Sequence, residues 1–207
     1  DKADLIGDIL SVAPKLTLLV TSRERLRLRG EHLFEVDGMI LPPVDTLPAQ
    51  LGNYPATDLF LQSAHRVMPD FEIDEENAPA VIQIIRLVQG LPLGIELAAA
   101  WLEMLPIDEI VQEIENSLDF LETDLRDVPE RHRSIRAVFE YSWNLMTPEE
   151  QDVFLKLSIF RGGFEREAAQ KIAGASLKNL TGLVNKSLLI RMPSGRYQAH
   201  KLLRQYA

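Results

Sequence analysis

The clearest pattern in the chain is residues 147–199, TPEEQDVFLKLSIFRGGFEREAAQKIAGASLKNLTGLVNKSLLIRMPSGRYQA. Its first four residues, Thr147-Pro148-Glu149-Glu150, predict a helix start, with a capping threonine, a proline in the first turn and the glutamate of a capping box. A second helix is predicted from Glu165 to Ala173, and Ser176 caps a third. Residues 188–199 surround a Pro-Ser-Gly turn and predict a β-hairpin. Helix, turn, helix and hairpin is the order of a winged helix.

The residues before this segment divide into two further parts. Residues 44–125 show helical apolar spacing, including a run at 93–105 that is apolar on nearly every side and predicts a buried helix. Residues 16–20, LTLLV, resemble a strand covered on both faces, as in a parallel sheet, and residues 33–36 predict a second short strand. The predicted protein is therefore mainly α, with a remnant of an α/β nucleotide-binding domain at 1–43, a helical bundle domain at 44–125 and a winged-helix domain at 126–207.

Composition excludes several classes of protein. The 207 residues are 46% hydrophobic and 26% charged, which is typical of a globular chain. The absence of cysteine excludes disulfides and thiolate metal sites. No apolar run reaches the length of a membrane helix and no signal peptide is present, so we expect a cytoplasmic protein with no membrane partner. The chain starts at Asp1 and stops within a helical pattern, and we interpret it as part of a longer protein.

Charge is distributed unevenly along the chain. The net charge is −9, but residues 44–125 contain 16 acidic and two basic side chains, while residues 126–207 contain 14 basic and eight acidic ones. This asymmetry indicates units with different surfaces. A basic end can hold an anionic ligand or dock against the acidic middle.

The chain contains no complete catalytic motif. It has no phosphate loop, no dinucleotide-binding glycine motif and no nucleophile elbow. Its four histidines are far apart in sequence, so we expect no zinc site and no catalytic residues. The acidic run at 70–76 lacks the glycine and spacing of a calcium loop, and it predicts a solvated loop and helix start.

Three separate features could bind a nucleotide. Thr21, Ser22 and Arg23 follow the predicted strand, where hydroxyls and a guanidinium suit a phosphate. The turn Gly90-Leu91-Pro92-Leu93 is apolar and could cover a nucleobase. His200 lies between the hairpin and a last helix, where it could donate to a diphosphate. Each feature also has a purely structural explanation. Arg23 could cap a surface turn, the turn at 90–93 could simply begin a helix, and His200 could cap the last helix.

In this order, LLVTSRERL at 18–26, GLPL at 90–93 and AHKLLRQYA at 199–207 resemble STAND-class (NB-ARC-like, AP-ATPase) signalling NTPases. The group includes bacterial transcriptional regulators and plant disease-resistance proteins. The resemblance implies the order of three domains given above. It also implies ADP or ATP as cofactor, with Mg in the full-length protein, whereas we expect this chain, which lacks the phosphate loop, to bind no nucleotide by itself or to bind it only weakly.

The resemblance further implies a role for each residue of these features. Arg23 would read the γ-phosphate, with Thr21 and Ser22 beside it. Leu91, Pro92 and Leu93 would lie against the adenine, and His200 would touch the β-phosphate of ADP. The phosphate loop and the magnesium-binding strand are absent, so we expect no ATP hydrolysis by this chain and a slow ATPase in the full-length protein.

The motif around His200 departs from the family pattern at both neighbours. The Met and Asp that flank the histidine in the family are Ala199 and Lys201 here. This difference weakens the expected lock that ADP forms in the closed state.

Two functions follow from these observations. The first is the regulatory switch of a signal-transduction ATPase, in which ADP holds the domains closed and ATP releases them. Its partners would be the rest of the nucleotide-binding domain, effector or repeat domains of the same chain, and further copies of the protein on activation.

The second is a winged-helix DNA-binding transcriptional regulator with a helical sensory or dimerisation domain. The basic end of the chain supports it. So do four polar residues that we expect to be exposed on the third helix of the winged-helix segment, Lys178, Asn179, Asn185 and Lys186. Gly182 interrupts that helix and argues against this function, which we rank second from the sequence.

Overall fold

A computed structural model describes residues 2–13, 15–22, 24–34, 36, 38–123, 129, 132–199 and 201–206. The chain divides into two units. We call residues 1–36 and 142–200 the hairpin unit, and residues 37–141 and 201–206 the helical unit. The prediction of a mainly α protein is confirmed. The predicted domain boundaries at 43 and 125 stay a prediction.

The helices and strands follow one another in this order. They are α1 (Lys2–Val12), α2 (Pro55–Val67), α3 (Ala78–Leu87), α4 (Pro92–Ala100), α5 (Ile107–Asn116), α6 (Ile135–Asn144), α7 (Pro148–Leu157), α8 (Arg166–Ala173), α9 (Leu177–Asn185), β1 (Leu189–Arg191), β2 (Tyr197–Ala199) and α10 (Lys201–Tyr206).

The core of the helical unit is built from α2 to α5. Prolines stand in the first turn of α2, α3 and α4, where the missing N–H leaves no hydrogen bond unmade. Helix α4 is buried on nearly every side, as its apolar run predicts, with Ile95 and Ala98 fully buried. The predicted helix extends to residue 105, whereas α4 ends at Ala100 and one 3-10 turn, Trp101–Glu103, follows it.

Local capping signals define the helices of the hairpin unit. The Thr147 hydroxyl accepts from the Glu150 N–H (3.2 Å), and the Glu150 carboxylate accepts from the Thr147 N–H (2.8 Å), so the predicted capping box is confirmed. Gly174 ends α8 with a φ of 65°. Ser176 caps α9 by accepting from the Asn179 N–H (3.1 Å).

The predicted β-hairpin is also confirmed. Strands β1 and β2 are antiparallel, with Leu189 opposite Ala199 and Arg191 opposite Tyr197. Phe164, just before α8, forms a bridge to Tyr197 through two backbone hydrogen bonds of 2.7 and 2.8 Å. The segment before α8 thus adds a third backbone to this small sheet.

The strands predicted at 16–20 and 33–36 are wrong for the part of the chain that the structure describes. Residues 16–20 have no strand assignment, and Leu19 is 98% exposed. An apolar run becomes a strand only when another backbone pairs with it, and no described segment does so here. The described part of residues 1–36 therefore contains helix α1 and no sheet, so the α/β remnant is not formed there.

Among the described helices, none combines the length and the apolar character needed to cross a lipid bilayer.

Candidate functional site

The predicted base-covering turn is a tight reversal between α3 and α4. Gln89 and Gly90 both have positive φ, 54° and 66°. The Gly90 carbonyl accepts a hydrogen bond from the Met39 N–H (2.9 Å). This bond holds the loop that contains Met39 against the turn. A side chain on Gly90 would overlap the Met39 carbonyl, so both the backbone conformation and the close approach require glycine.

The three residues predicted to cover a base have different environments. Leu91 and Leu93 are half-buried and pack against the core of the helical unit. Pro92 is exposed at the first turn of α4. An exposed proline ring is available to a ligand, whereas the two leucines serve mainly to anchor the turn.

A groove of about 700 Å³ lies beside the turn. No sequence pattern predicted this groove. Its lining residues are Gly38, Met39, Leu41, Val44, Pro79, Ile82, Gln83, Arg86, Leu87 and Gln89. The Arg86 guanidinium donates to the Pro42 carbonyl (3.1 Å) and so lies at the wall of the groove. The signal in the sequence was Arg86 itself, because residues 44–125 contain only two basic side chains.

The residues predicted to contact phosphate belong to the hairpin unit or lie outside the described residues. Thr21 and Ser22 are exposed, and the Ser22 hydroxyl accepts from the Glu24 N–H (3.1 Å). Arg23 and His200 lie outside the described residues, so their roles stay predictions. Thr21 and Ser22 belong to the hairpin unit, and the turn at Gly90 belongs to the helical unit.

Helix α10, which follows position 200, is anchored in the helical unit. Leu202 is 2% exposed, and the Tyr206 ring stacks on Phe139 at 5.1 Å. The Arg136 guanidinium lies 5.3 Å from the centre of the Tyr206 ring and donates to Asp119 from Nε (2.8 Å). This hydrogen bond lowers the pKa of the Asp119 carboxyl, and burial raises the pKa of Tyr206.

The structure changes the surface that the sequence predicted to contact DNA, because two of the predicted residues bind other side chains within the hairpin unit. Asn179 is 5% exposed, and its side chain accepts from the Ser176 N–H (2.9 Å) and donates to Glu149 (3.1 Å). The Lys186 ammonium pairs with the Glu150 carboxylate at 2.5 Å. The prediction that Asn179 and Lys186 are exposed is therefore wrong, since the acidic first turn of α7 binds both.

Glu150 is the centre of this contact between α7 and α9. Burial raises the pKa of its carboxyl, but hydrogen bonds from Lys186 and from the Thr147 N–H outweigh burial, and the pKa lies below its usual value. A side chain at Gly182 would overlap the Glu150 carboxylate. The absence of a side chain at Gly182 thus lets α9 approach α7 closely.

The exposed cations of the hairpin unit are the remaining candidates for an anionic partner. Within residues 142–199, five basic residues are exposed and pair with no described acidic residue; they are Arg161, Arg166, Lys171, Lys178 and Arg191. By contrast, Lys156 pairs with Asp152 (2.6 Å) and Arg196 with Glu165 (3.3 Å). Exposed Lys and Arg side chains of this kind bind phosphates. Among all the described residues no three His, Asp or Glu side chains are placed to hold a metal ion.

Several known proteins have sequences similar to that of the chain, and some of them are named as transcriptional regulators. No family model matches the chain. It is 34% identical over 215 aligned positions, 99% of this chain, to a Mycobacterium tuberculosis protein named "Putative HTH-type transcriptional regulator", and equally to its Mycobacterium bovis counterpart. It is 30% identical over 217 positions, again 99% of the chain, to an uncharacterized protein of Mycobacterium tuberculosis.

The chain spans only part of these relatives, 23% of the length of the named regulators and 52% of the other protein. The names of the regulators favour the second function inferred from the sequence over the first. The chain is therefore similar to part of mycobacterial proteins named as helix-turn-helix transcriptional regulators.

Proposed function

We propose that this chain is a module of a bacterial transcriptional regulator, and that its residues 142–200 form a winged helix that contacts DNA. The observation that carries the proposal is the 34% identity, over nearly the whole chain, to proteins named as regulators of the helix-turn-helix type. Because the chain spans a minority of those proteins, both the regulatory output and the DNA contact are proposals.

The order of elements in the hairpin unit supports the winged-helix assignment. Helices α7, α8 and α9 precede an antiparallel hairpin, and Phe164 ties the segment before α8 to β2. A helix-turn-helix presents its second helix to the major groove. Here that helix is α9, and the turn between β1 and β2 is the wing.

The residues that would contact DNA follow from exposure. On α9, Lys178 and Thr181 are exposed and Asn185 is half-buried, and positions 178, 181 and 185 lie on one helical face. Arg191 is exposed on the hairpin. These side chains replace Asn179 and Lys186, which α7 holds, as the candidates for phosphate and base contacts.

The test is binding of the chain to labelled mixed-sequence duplex DNA by fluorescence anisotropy at several salt concentrations. Each phosphate contact contributes a slope of about −0.9 to the plot of log affinity against log salt. We expect Lys178→Ala and Arg191→Ala each to reduce that slope by about 1. Lys156→Ala is the matched control, because its ammonium already pairs with Asp152, and its slope should equal that of the wild type.

A second candidate function is the nucleotide-dependent switch that the family resemblance implies. The strained turn at Gly90, the exposed Pro92 and the adjacent groove favour it, because a preformed apolar groove can accept a base. In this function His200 contacts the ADP diphosphate and biases the protein toward its closed state.

The switch is tested on the full-length protein, since this chain has no phosphate loop. We expect His200→Ala to release ADP more than about tenfold faster, as a lost charge-assisted hydrogen bond predicts. A lower melting temperature with an unchanged ADP off-rate would show that His200 only caps α10. Absence of ADP binding by the full-length protein would exclude the switch altogether.

A further inference from the structure

Two arginines flank the turn of the hairpin, Arg191 before it and Arg196 after it. Both are exposed, and by charge alone both suit a DNA phosphate. Arg191 pairs with no acidic residue that the structure describes, whereas the Arg196 guanidinium is held on two sides by residues of the hairpin unit. The two side chains are therefore not equivalent in the structure.

The Arg196 side chain joins the hairpin to the segment that precedes α8. Its Nη2 donates to the Gly163 carbonyl, and its Nη1 donates to the Glu165 carboxylate (3.3 Å). The donors of a guanidinium form a rigid planar fork, so two contacts fix its orientation where a single contact would not. Arg196 thus connects the end of the turn to two residues on the other side of the sheet.

The backbone around Arg196 belongs to the same junction. Phe164 and Tyr197 exchange two backbone hydrogen bonds of 2.7 and 2.8 Å. Because this bridge is antiparallel, Glu165 after Phe164 comes opposite Arg196 before Tyr197, and their opposite charges form a cross-strand pair. The Arg196 carbonyl also accepts from the Met192 N–H (2.8 Å), which closes the turn. One residue therefore holds both the turn and its attachment.

Gly163 leaves the space in which the guanidinium lies. A Cβ at this position would come within 3.4 Å of Arg196 Nε and within 3.2 Å of the Tyr197 carbonyl oxygen. Both distances are tighter than ordinary van der Waals contact. The close approach of Arg196 to this backbone is thus built into the sequence at two positions.

We propose that Arg196 is a positioning residue for DNA binding. It fixes the wing to the segment before α8, so that Arg191 can reach a phosphate, and it does not contact the DNA itself. The proposal rests on the DNA contact proposed above. Its physical reason is that Arg196 would have to give up a carbonyl and a carboxylate to bind a phosphate, whereas Arg191 gives up no described ion pair.

Amide hydrogen exchange of the free 207-residue chain tests the positioning without DNA. The Phe164 and Tyr197 amides report on the junction, since each donates to the other's carbonyl. In Arg196→Ala we expect both to exchange about fivefold faster relative to the amides of α7, the factor that one lost hydrogen bond gives. Arg166→Ala is the matched control, because Arg166 is exposed two positions after Phe164 and forms no described ion pair, and it should leave both amides unchanged. No acceleration, or equal acceleration throughout the hairpin unit, overturns the positioning role.

Binding of duplex DNA, measured by fluorescence anisotropy at several salt concentrations, tests whether Arg196 acts through Arg191. Arg196→Ala should weaken binding by no more than Arg191→Ala does. The double variant should match Arg191→Ala in affinity and in salt slope, because both changes affect one phosphate contact. Combined with Lys178→Ala, by contrast, Arg196→Ala should keep its full effect.

Two results would overturn the proposal. One is a double variant weaker than Arg191→Ala, with a salt slope smaller by about 1 again, since Arg196 would then contact a phosphate of its own. The other is an unchanged affinity in Arg196→Ala, which would leave Arg196 a purely structural residue. Failure of the wild-type chain to bind DNA would instead contradict the proposed function, and the exchange of the Phe164 and Tyr197 amides would still decide whether Arg196 fixes the hairpin.

Discussion

Replacing Lys186 with methionine should destabilise the hairpin unit much more than a surface ion pair would. The substitution keeps the aliphatic length but leaves the Glu150 carboxylate without its cation. The two side chains are only 14% and 11% exposed, so the carboxylate cannot regain full hydration. Removing one partner of a buried pair costs about 3–5 kcal/mol. Because the Thr147 N–H still donates to Glu150, we expect the lower end, about 3 kcal/mol.

Urea unfolding followed by tryptophan fluorescence measures this loss within one unit. Trp143 belongs to the hairpin unit and Trp101 to the helical unit, so a Trp101→Phe background leaves Trp143 as the sole reporter. Lys156→Met is the control. Its pair with Asp152 has side chains 51% and 60% exposed, and such pairs contribute at most about 1 kcal/mol.

A double variant separates the ion pair from the packing of the lysine stem. Glu150→Gln combined with Lys186→Met should be less destabilised than the sum of the two single changes, because the buried charge is then absent. Two outcomes would refute the reasoning: additive effects, or a loss in Lys186→Met no larger than in Lys156→Met. Either would mean that Glu150 does not hold Lys186, which would return Lys186 to the candidates for DNA contact.

Three further predictions follow from the same contacts. Folding lowers the pKa of the Glu150 carboxyl, so its ionised form stabilises the folded protein fully above its ordinary pKa of 4.5. That stabilisation is lost as the pH falls through the lower pKa of the folded state. Urea unfolding at pH 7 and at pH 3 should therefore show a smaller destabilisation by Lys186→Met at the acid pH. Gly90→Ala should lower the free energy of unfolding of the helical unit by about 2 kcal/mol or more, whereas Gly52→Ala, whose Cβ meets no atom within 4 Å, should change it by less than about 0.5 kcal/mol. Asn179→Ala removes a cap of α9 and a bond to Glu149, and should cost about 1–2 kcal/mol by thermal unfolding monitored at Trp143.

Sequence patterns predicted the helices well because helix signals are local. The capping box at Thr147, the cap at Ser176 and the left-handed glycine at 174 each act within one turn of the chain, and the structure contains all three. The hairpin at 189–199 was equally accessible, since its turn and both strands are contiguous.

Features that depend on distant partners were not predictable in this way. Residues 16–20 have the composition of a strand, but composition does not supply the second backbone that a strand requires. Asn179 and Lys186 fall on the polar side of α9 by periodicity, yet Glu149 and Glu150 of another helix bury them. Gly182, which in the sequence argued against a DNA-binding function, is explained by the same contact.

For the candidate sites too, features made of contiguous residues were predictable from the sequence, and features that join distant residues were not. The turn at Gly90 was found from four consecutive residues, whereas the groove beside it combines residues from Gly38 to Gln89. Arg23 and His200 lie outside the described residues, so the roles that the family resemblance implies for them stay predictions.

The central claim, that residues 142–200 of a transcriptional regulator module contact DNA, is tested most directly by NMR of the isotopically labelled chain during titration with a duplex. We expect the largest amide shift changes at 177–182 in α9 and at 190–196 in the hairpin, and we expect them to disappear in the Lys178→Ala, Arg191→Ala double variant. No shift changes at saturating DNA, or changes confined to residues 55–116 of the helical unit, would contradict it.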